Sequence, residues 1–503
     1  MAGPRRRCIR SAGQGPVTIP AEQREVAAFL AGLAGSPPVE THISAVFRGV
    51  DAVWKLKKAV RLGFLDFSDI EARRHFLERE LALNAPFVPG LYRDVLAVTR
   101  GPAGLALGGD GPALDWVLRM ALVPEGDFLD VMASEGRLDP PLLLAVADQV
   151  AAMHAAQKTG GPVADPADRL RGVASGNAAA ALAAGLDGGV VAAWEALALA
   201  ALDRAAPCLR ARAGLVRRAH GDLHLGNLLL WQGRPAPFDA LEFDEDLATI
   251  DPGYDLAFLL MDLDIRVGRP AANLVLSRYV ARTGDAGLVG ALAVFLSLRA
   301  MIRAHVEATR GRDAGRLLAA AMAYLAPGRP AVLAIGGLMG AGKSTLARAL
   351  APSFGPAPGA LVLRSDEIRK RVFGVAPEDR LPPSAYGAKG NRLTRGGLMD
   401  GVRAAAGTHA VIADATFLGA EAPIAVEQAA RAAGVPFLGI WLDAPLAELE
   451  RRVAARQGDA SDADVAVLRR VAAVARCPAG WTSVDATDAG CAERRVQMLL
   501  GVL

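Results

Sequence analysis

The residues that most restrict this chain are Gly337-Leu338-Met339-Gly340-Ala341-Gly342-Lys343-Ser344, which follow the apolar run Ala331 to Ile335 and precede Thr345-Leu346-Ala347-Arg348. Glycine, four spacers, glycine, lysine and a hydroxyl residue, set between a strand and a helix, form the pattern of a phosphate-binding loop. Each position has a chemical task. Glycines let successive backbone N–H groups wrap a phosphate at a helix start, the lysine meets the β- and γ-phosphate charge, and the hydroxyl reaches Mg²⁺. Gly337, Gly340, Gly342, Lys343, Ser344 and Thr345 are therefore the expected nucleotide-binding residues, with Ser344 also a metal ligand. The lysine adds weight, because only 7 of the 56 basic residues are lysine.

Downstream, Leu361 to Leu363 and Val411 to Thr416 read as further strands that end in carboxylates. Ligands of open parallel sheets lie beyond the carboxyl ends of the strands, which places Asp366 and Asp414 beside the terminal phosphate of a nucleotide. Asp366 is then a candidate base; the alternative is that Ser365 or Asp366 caps the helix Glu367 to Val372. Arg451, Arg452 and Arg456 follow the strand Leu438 to Leu442 and precede Gly458-Asp459-Ala460-Ser461-Asp462. They read either as surface charge or as arginines on a closing flap, Arg452 and Arg456 meeting the phosphates. From about Ala331 to the carboxyl terminus the chain resembles the phosphate-loop small-molecule kinases: gluconate and shikimate kinases, the kinase half of polynucleotide kinases, chloramphenicol phosphotransferase and the zeta toxins. The resemblance implies that Asp366 deprotonates the acceptor and Arg369 orients it. Asp414 is the nearest match to a Walker B acid and is counted on the substrate side.

A second constellation stands upstream. His220-Gly221-Asp222-Leu223-His224-Leu225-Gly226-Asn227 is followed by an apolar run, a turn and Phe238-Asp239. An Asp held in a loop can take the proton of an acceptor hydroxyl, an Asn five residues later can bind Mg²⁺, and an Asp after the next short strand can complete the metal site. Asp222, Asn227 and Asp239 fit those roles, while His220 reads as a structural hydrogen-bonding residue. The stretch resembles the catalytic loop of the aminoglycoside phosphotransferase and choline kinase superfamily, relatives of protein kinases. That resemblance requires a strand lysine paired with a helix glutamate to clamp the nucleotide phosphates. Lys55, with Lys57 second, and Glu80, with Glu78 as fallback, answer it. No glycine-rich covering loop precedes Lys55; Gly49 stands alone there. Between Asp239 and Asp264 lie nine acids and no Lys or Arg, read either as a field for a cationic, hydroxylated substrate or as a hydrated loop; Asp255 resembles a structural acid that braces the catalytic loop.

The organisation expected is a disordered basic tail over residues 1–20, a β-rich small lobe over 21–122, a helical large lobe over 123–326 and a P-loop unit over 331–503. In class terms this is an α+β, protein-kinase-like bilobal domain followed by an α/β P-loop NTPase domain with a parallel sheet. The formal charge of +3 includes four arginines in the first twenty residues, so the body is near neutral, unlike a general nucleic-acid binder. Four scattered cysteines with no zinc-ligand spacing point to a reducing compartment, and the run Leu288 to Leu298 is short of a membrane span. The chain as a whole resembles a bacterial fusion of an aminoglycoside-phosphotransferase-like domain with an AAA-type P-loop kinase. That implies a cytoplasmic, bifunctional enzyme using ATP and Mg²⁺ on small-molecule hydroxyl acceptors, a polynucleotide 5′ end being the one nucleic-acid acceptor envisaged. Two alternatives stay open: a first domain that binds nucleotide without turnover, and a second domain that is an ATPase.

Overall fold

The computed structural model describes residues 18–62, 65–160, 165–455 and 460–501; most of the expected tail and Arg456 lie outside them. We number the principal elements in chain order. Helix α1 (Arg24–Ala34) precedes a six-stranded antiparallel sheet of β1 (Val39–Glu40), β2 (Ser44–Arg48), β3 (Ala52–Lys57), β4 (Tyr92–Gly101), β5 (Gly104–Leu107) and β6 (Ala113–Ala121), in the order β1-β2-β3-β6-β4-β5. Strands β2 and β3 form a hairpin around Gly49. After Ser68 comes helix α2 (Ile70–Asn84), opened by the Asp69 carboxylate accepting from the Ala72 N–H. This helix crosses between β3 and β4 and carries Glu80 under the sheet.

The large lobe is built from α3 (Pro140–Ala156), α4 (Pro166–Ala183), α5 (Gly188–Ala211), α6 (Pro252–Arg266), α7 (Arg269–Thr283), α8 (Val289–Thr309) and α9 (Gly315–Ala323). Between α5 and α6 runs the segment holding Asp222, with a hairpin of β7 (Leu228–Trp231) and β8 (Arg234–Pro237). The stretch Ala286–Thr309 is long and apolar enough to cross a membrane, yet 72% of its most apolar window is buried. It is the central helix of the lobe: Phe295, Leu296, Leu298 and Met301 are fully covered.

The last unit is a five-stranded, all-parallel sheet of β9 (Val332–Gly337), β10 (Leu361–Arg364), β11 (Val411–Asp414), β12 (Phe437–Asp443) and β13 (Thr482–Asp485), ordered β10-β11-β9-β12-β13. Its helices include α10 (Lys343–Leu350), α11 (Ser365–Val372), α12 (Ala388–Ala405) and α13 (Leu446–Ala454). Strand side chains alternate between two cores, as a period of two requires. Leu333, Ile335, Val362 and Ile412 enter one apolar cluster. Val332, Ala334, Leu361, Leu363, Val411 and Ala413 enter the cluster that also holds the helical lobe together. The kinase-like lobe and the P-loop sheet therefore share a continuous core.

Candidate active sites

In the first site, β3 aims Lys55 into the cleft between lobes. Its ammonium contacts Glu80 at 2.7 Å and Asp239 at 2.6 Å. Lys57, two residues on, is buried on the same face, where it pairs with Glu80 and Glu242. Lys55 is thus the lysine at the cleft, and Lys57 is its internal brace. Two ammoniums against three carboxylates leave this cluster one negative charge. Burial disfavours the charged form of Lys55, but Asp239 and Glu80 outweigh it and hold its pKa well above that of a free lysine. Burial opposes the ionised form of Asp239 too, and Lys55 reverses the balance, holding the carboxyl below its usual range. Asp239 adopts φ 59°, a left-handed backbone that costs a non-glycine residue stability and that clusters at functional sites.

The β7–β8 hairpin brings Asn227 and Asp239 to one end, with the Phe238 N–H donating to the Asn227 carbonyl at 3.1 Å. The Asn227 amide donates to the Asp222 carbonyl at 2.8 Å and to its carboxylate at 3.0 Å, leaving the amide oxygen for another ligand. Against its burial, Asp222 is held well below the usual carboxylate range by the adjacent His224, by His220 and by Arg299. Among the described residues no three His, Cys, Asp or Glu side chains form a ready-made metal cluster. Mg²⁺ does not need one, since it takes one or two protein oxygens and completes its shell with phosphates and water. Asn227 and Asp239, beside a net negative cluster, fit that requirement.

The loop is held from below by Asp255, fully buried on α6, whose carboxylate accepts the N–H groups of His220 at 3.0 Å and Gly221 at 2.9 Å. His154 reaches the same carboxylate at 3.0 Å and the Tyr279 hydroxyl at 2.9 Å. Burial raises the Asp255 pKa, but the bond to His154 more than compensates and the group stays ionised. Asp255→Ala should leave two loop N–H groups and the Nε2 of His154 unpaired, lowering stability by about 3–5 kcal/mol, a range typical of broken buried pairs. Denaturant unfolding of the variant would measure this.

Eight of the nine acids are engaged by other groups of the protein and so do not form an open substrate field, while Asp246 is exposed. Lys55, Lys57, Arg79 and Arg212, from outside the segment, hold Asp239, Glu242, Glu245 and Asp251. Asp244 caps a short helix through the Leu247 N–H, Asp262 accepts from Leu225, and Asp264 binds the Tyr324 hydroxyl. The compensating cations lie elsewhere in the chain, so the local sequence looked unbalanced.

In the second site, Gly337 at φ 136° and Gly340 at φ 83° adopt backbones that L side chains avoid. A Cβ on Gly337 would lie 2.6 Å from the Leu442 carbonyl oxygen, and one on Gly340 2.8 Å from that of Leu449. Gly337→Ala should therefore distort the cradle at a cost of about 1–3 kcal/mol and weaken nucleotide binding, as calorimetric titration with ATP would show. The Lys343 ammonium donates to the Leu338 carbonyl at 2.9 Å across the loop, and Thr345 sits exposed on the first turn of α10. Sheet register sets Asp414 level with Ile335 and Arg364. Asp414 there accepts a hydrogen bond from Ser344, and Arg364 donates to the same hydroxyl at 3.1 Å. Asp414 accordingly stands beside the Ser344 hydroxyl at the end of the sheet.

Residues 93–292 match the profile of the Phosphotransferase enzyme family, and residues 332–478 match that of an AAA domain. The chain joins these two domains. It is an enzyme of the phosphotransferase class. Uncharacterised proteins of Mycobacterium tuberculosis (strain ATCC 25618 / H37Rv) and Mycobacterium bovis are each 27% identical to it over 493 residues, covering 91% of this chain and 93% of theirs. Among solved structures, a thermostable mutant of an aminoglycoside phosphotransferase is 15% identical (59% of this chain, 98% of that one, TM-score 0.38). A glucosamine kinase is 17% identical (58% and 78%, TM-score 0.35), and a gluconokinase from Sinorhizobium meliloti 1021 is 17% identical (34% and 93%, TM-score 0.25).

In the AAA domain, α11 begins at Ser365, so Asp366 lies inside the first turn and does not serve as the cap. Arg369, one turn on, donates to the Ala385 carbonyl at 2.8 Å and stacks 4.7 Å from the Tyr386 ring centre, while its buried Nε has no hydrogen-bond partner. The described part of the expected flap is latched: Asp462 accepts from Lys370 at 2.7 Å, from the Leu381 N–H at 3.0 Å and from the Tyr386 hydroxyl. Arg452, on α13 beside the P-loop, donates to Glu448, to the carbonyls of Ala486 and Thr487 and, at 3.5 Å, to that of Gly340.

Two residues of the phosphotransferase and AAA domains escaped sequence reasoning. His224 stands 3.5 Å from the Asp222 carboxylate, its Nδ1 accepting from the Gly226 N–H, which assigns the proton to the nitrogen facing Asp222. Its position two residues after the loop aspartate was the available signal. Arg364 was visible only as part of a strand end; its bond to Ser344 depends on strand order, which spacing does not reveal.

Proposed function

We propose that the chain is a bifunctional ATP-dependent phosphotransferase, each domain moving the γ-phosphoryl group of ATP to a hydroxyl of a small molecule. The observation that carries this reading is the assembly of Lys55, Glu80, Asp222, Asn227 and Asp239 around one cleft, since a module that only binds nucleotide has no use for a carboxylate beside the acceptor. In the phosphotransferase domain Lys55 clamps the α- and β-phosphates, Asn227 and Asp239 hold Mg²⁺, and Asp222 accepts the proton of the attacking hydroxyl. In the AAA domain the amides around Gly337, Gly340 and Gly342, together with Lys343, cradle the phosphates. There Ser344 and Asp414 hold the metal, and Asp366 accepts the proton while Arg369 orients the acceptor. Bound Mg²⁺ supplies charge neutralisation on the phosphoryl oxygens. Positioning does most of the remaining work. The free thiols of Cys208, Cys477 and Cys491 suit a reducing, cytoplasmic setting.

The experiment is a metabolite and aminoglycoside screen by mass spectrometry for a gain of phosphate, run on the whole chain and on variants blocked at Asp222 or at Lys343. Two products lost separately establish two kinases. One product, lost only with Lys343, would reduce the phosphotransferase domain to a nucleotide sensor. ATP consumption with no phosphorylated product would make the AAA domain an ATPase.

A further inference from the structure

Strand β10 is the outer strand of the AAA sheet, and an open edge leaves a row of unpaired N–H and C=O groups. Here α7 of the phosphotransferase domain covers it. Asn273 donates to the Ala360 carbonyl at 2.9 Å, and Ser277, four residues along the same face, accepts the Val362 N–H at 3.2 Å. The next residue, Arg278, is almost fully buried and joins Asp148 of α3 at 2.7 Å to Glu378 of the AAA domain at 2.9 Å. Arg371 of α11 in turn donates to the carbonyls of Val280 at 3.3 Å and Ala281 at 3.0 Å, at the end of α7.

What α7 grips is the acceptor side of the second site. Strand β10 ends in Arg364, which holds Ser344, and continues directly into Asp366 and Arg369. Glu378 adjoins Asp379, whose carbonyl binds Lys370, the partner of Asp462 in the latch. The other face of α7 carries Tyr279, which reaches the catalytic loop of the first site through His154 and Asp255. One helix thus has polar contacts leading to both sites, and the two domains share a core.

We infer that α7 is a positioning element of the AAA site, with Asn273, Ser277 and Arg278 setting the placement of β10 and α11, so that the second site depends on residues of the first domain. The inference rests on the reading of Asp366 and Arg369 as acceptor-side groups. It also implies reciprocity: if the placement of α11 affects ligand binding at the second site, that binding must bias α7 in return.

The test uses the full chain carrying Lys55→Ala to silence the first site, with MgATP as probe and water standing in for the acceptor. Arg278→Ala is tolerable structurally, because Asp148 and Glu378 are partly exposed and rehydrate. It should lower Lys343-dependent ADP release about tenfold and speed amide exchange across residues 365–381, leaving exchange in 332–350 unchanged; Arg278→Lys should restore most of both. Saturating MgATP should slow exchange in α7. Unchanged exchange over 365–381 in Arg278→Ala, or an α7 indifferent to MgATP, would overturn the inference even if the domain proves to be a kinase. Absence of any Lys343-dependent ADP release with water alone would leave the kinase reading to the acceptor screen, and the exchange measurements would still decide the role of α7.

Discussion

Asp222→Asn should reduce phosphoryl transfer by the phosphotransferase domain by about 10²–10⁴-fold, the range supplied by a positioned general base. The amide preserves size and can still face Asn227 and His224, so the loop geometry survives and the loss falls on chemistry, in kcat more than in KM. The pKa of Asp222 is depressed, so it remains a carboxylate throughout mild acid; any fall in rate between about pH 5 and 7 must come from another group. The same sign applies to stability: the contribution of Asp222 is complete above the ordinary aspartate pKa of about 3.9 and is lost only as the pH falls through the lower folded value. Full turnover by the Asp222→Asn variant on an identified acceptor would remove Asp222 from the mechanism.

Much of this arrangement was legible in the sequence because its chemistry depends on short spacings. Gly337 to Ser344 is a local structure, and so is the run from His220 to Asn227; each carries its geometry in consecutive residues. Lys55 and Glu80 were also within reach, since a strand followed by one helix leaves few ways to bring them together. What spacing could not supply was partnership across the fold. The acids from Asp239 to Asp264 could be read as a field or as a hydrated loop because Lys57, Arg79 and Arg212 are distant in sequence. The contact of Asp414 with Ser344 is decided by the order of parallel strands, and the carbonyls that Arg452 meets belong to residues 486 and 487, far along the chain. The contact of α7 with β10 lies still further from local pattern, as it joins two domains.

Lys343→Ala should lower the activity of the AAA domain by about 10²–10³-fold with little effect on its fold. The loop backbone is shaped by Gly337, Gly340 and Gly342, and the lysine reaches across it to the Leu338 carbonyl. Its amides would survive the substitution and still attract phosphate, so binding is weakened and not erased. What disappears is a full positive charge where the β–γ bridge breaks, and loss of one such preorganised donor costs about 10²–10³ in rate. Lys343→Arg should not rescue it: a planar fork cannot replace a compact ammonium that spans a tight loop. Phosphorylation by the first domain should persist in both variants, because Lys55, Asp222 and Asp239 are untouched. ADP release and product formation measured side by side check this, and retention of all AAA-domain turnover in Lys343→Ala would disqualify the loop as its nucleotide site.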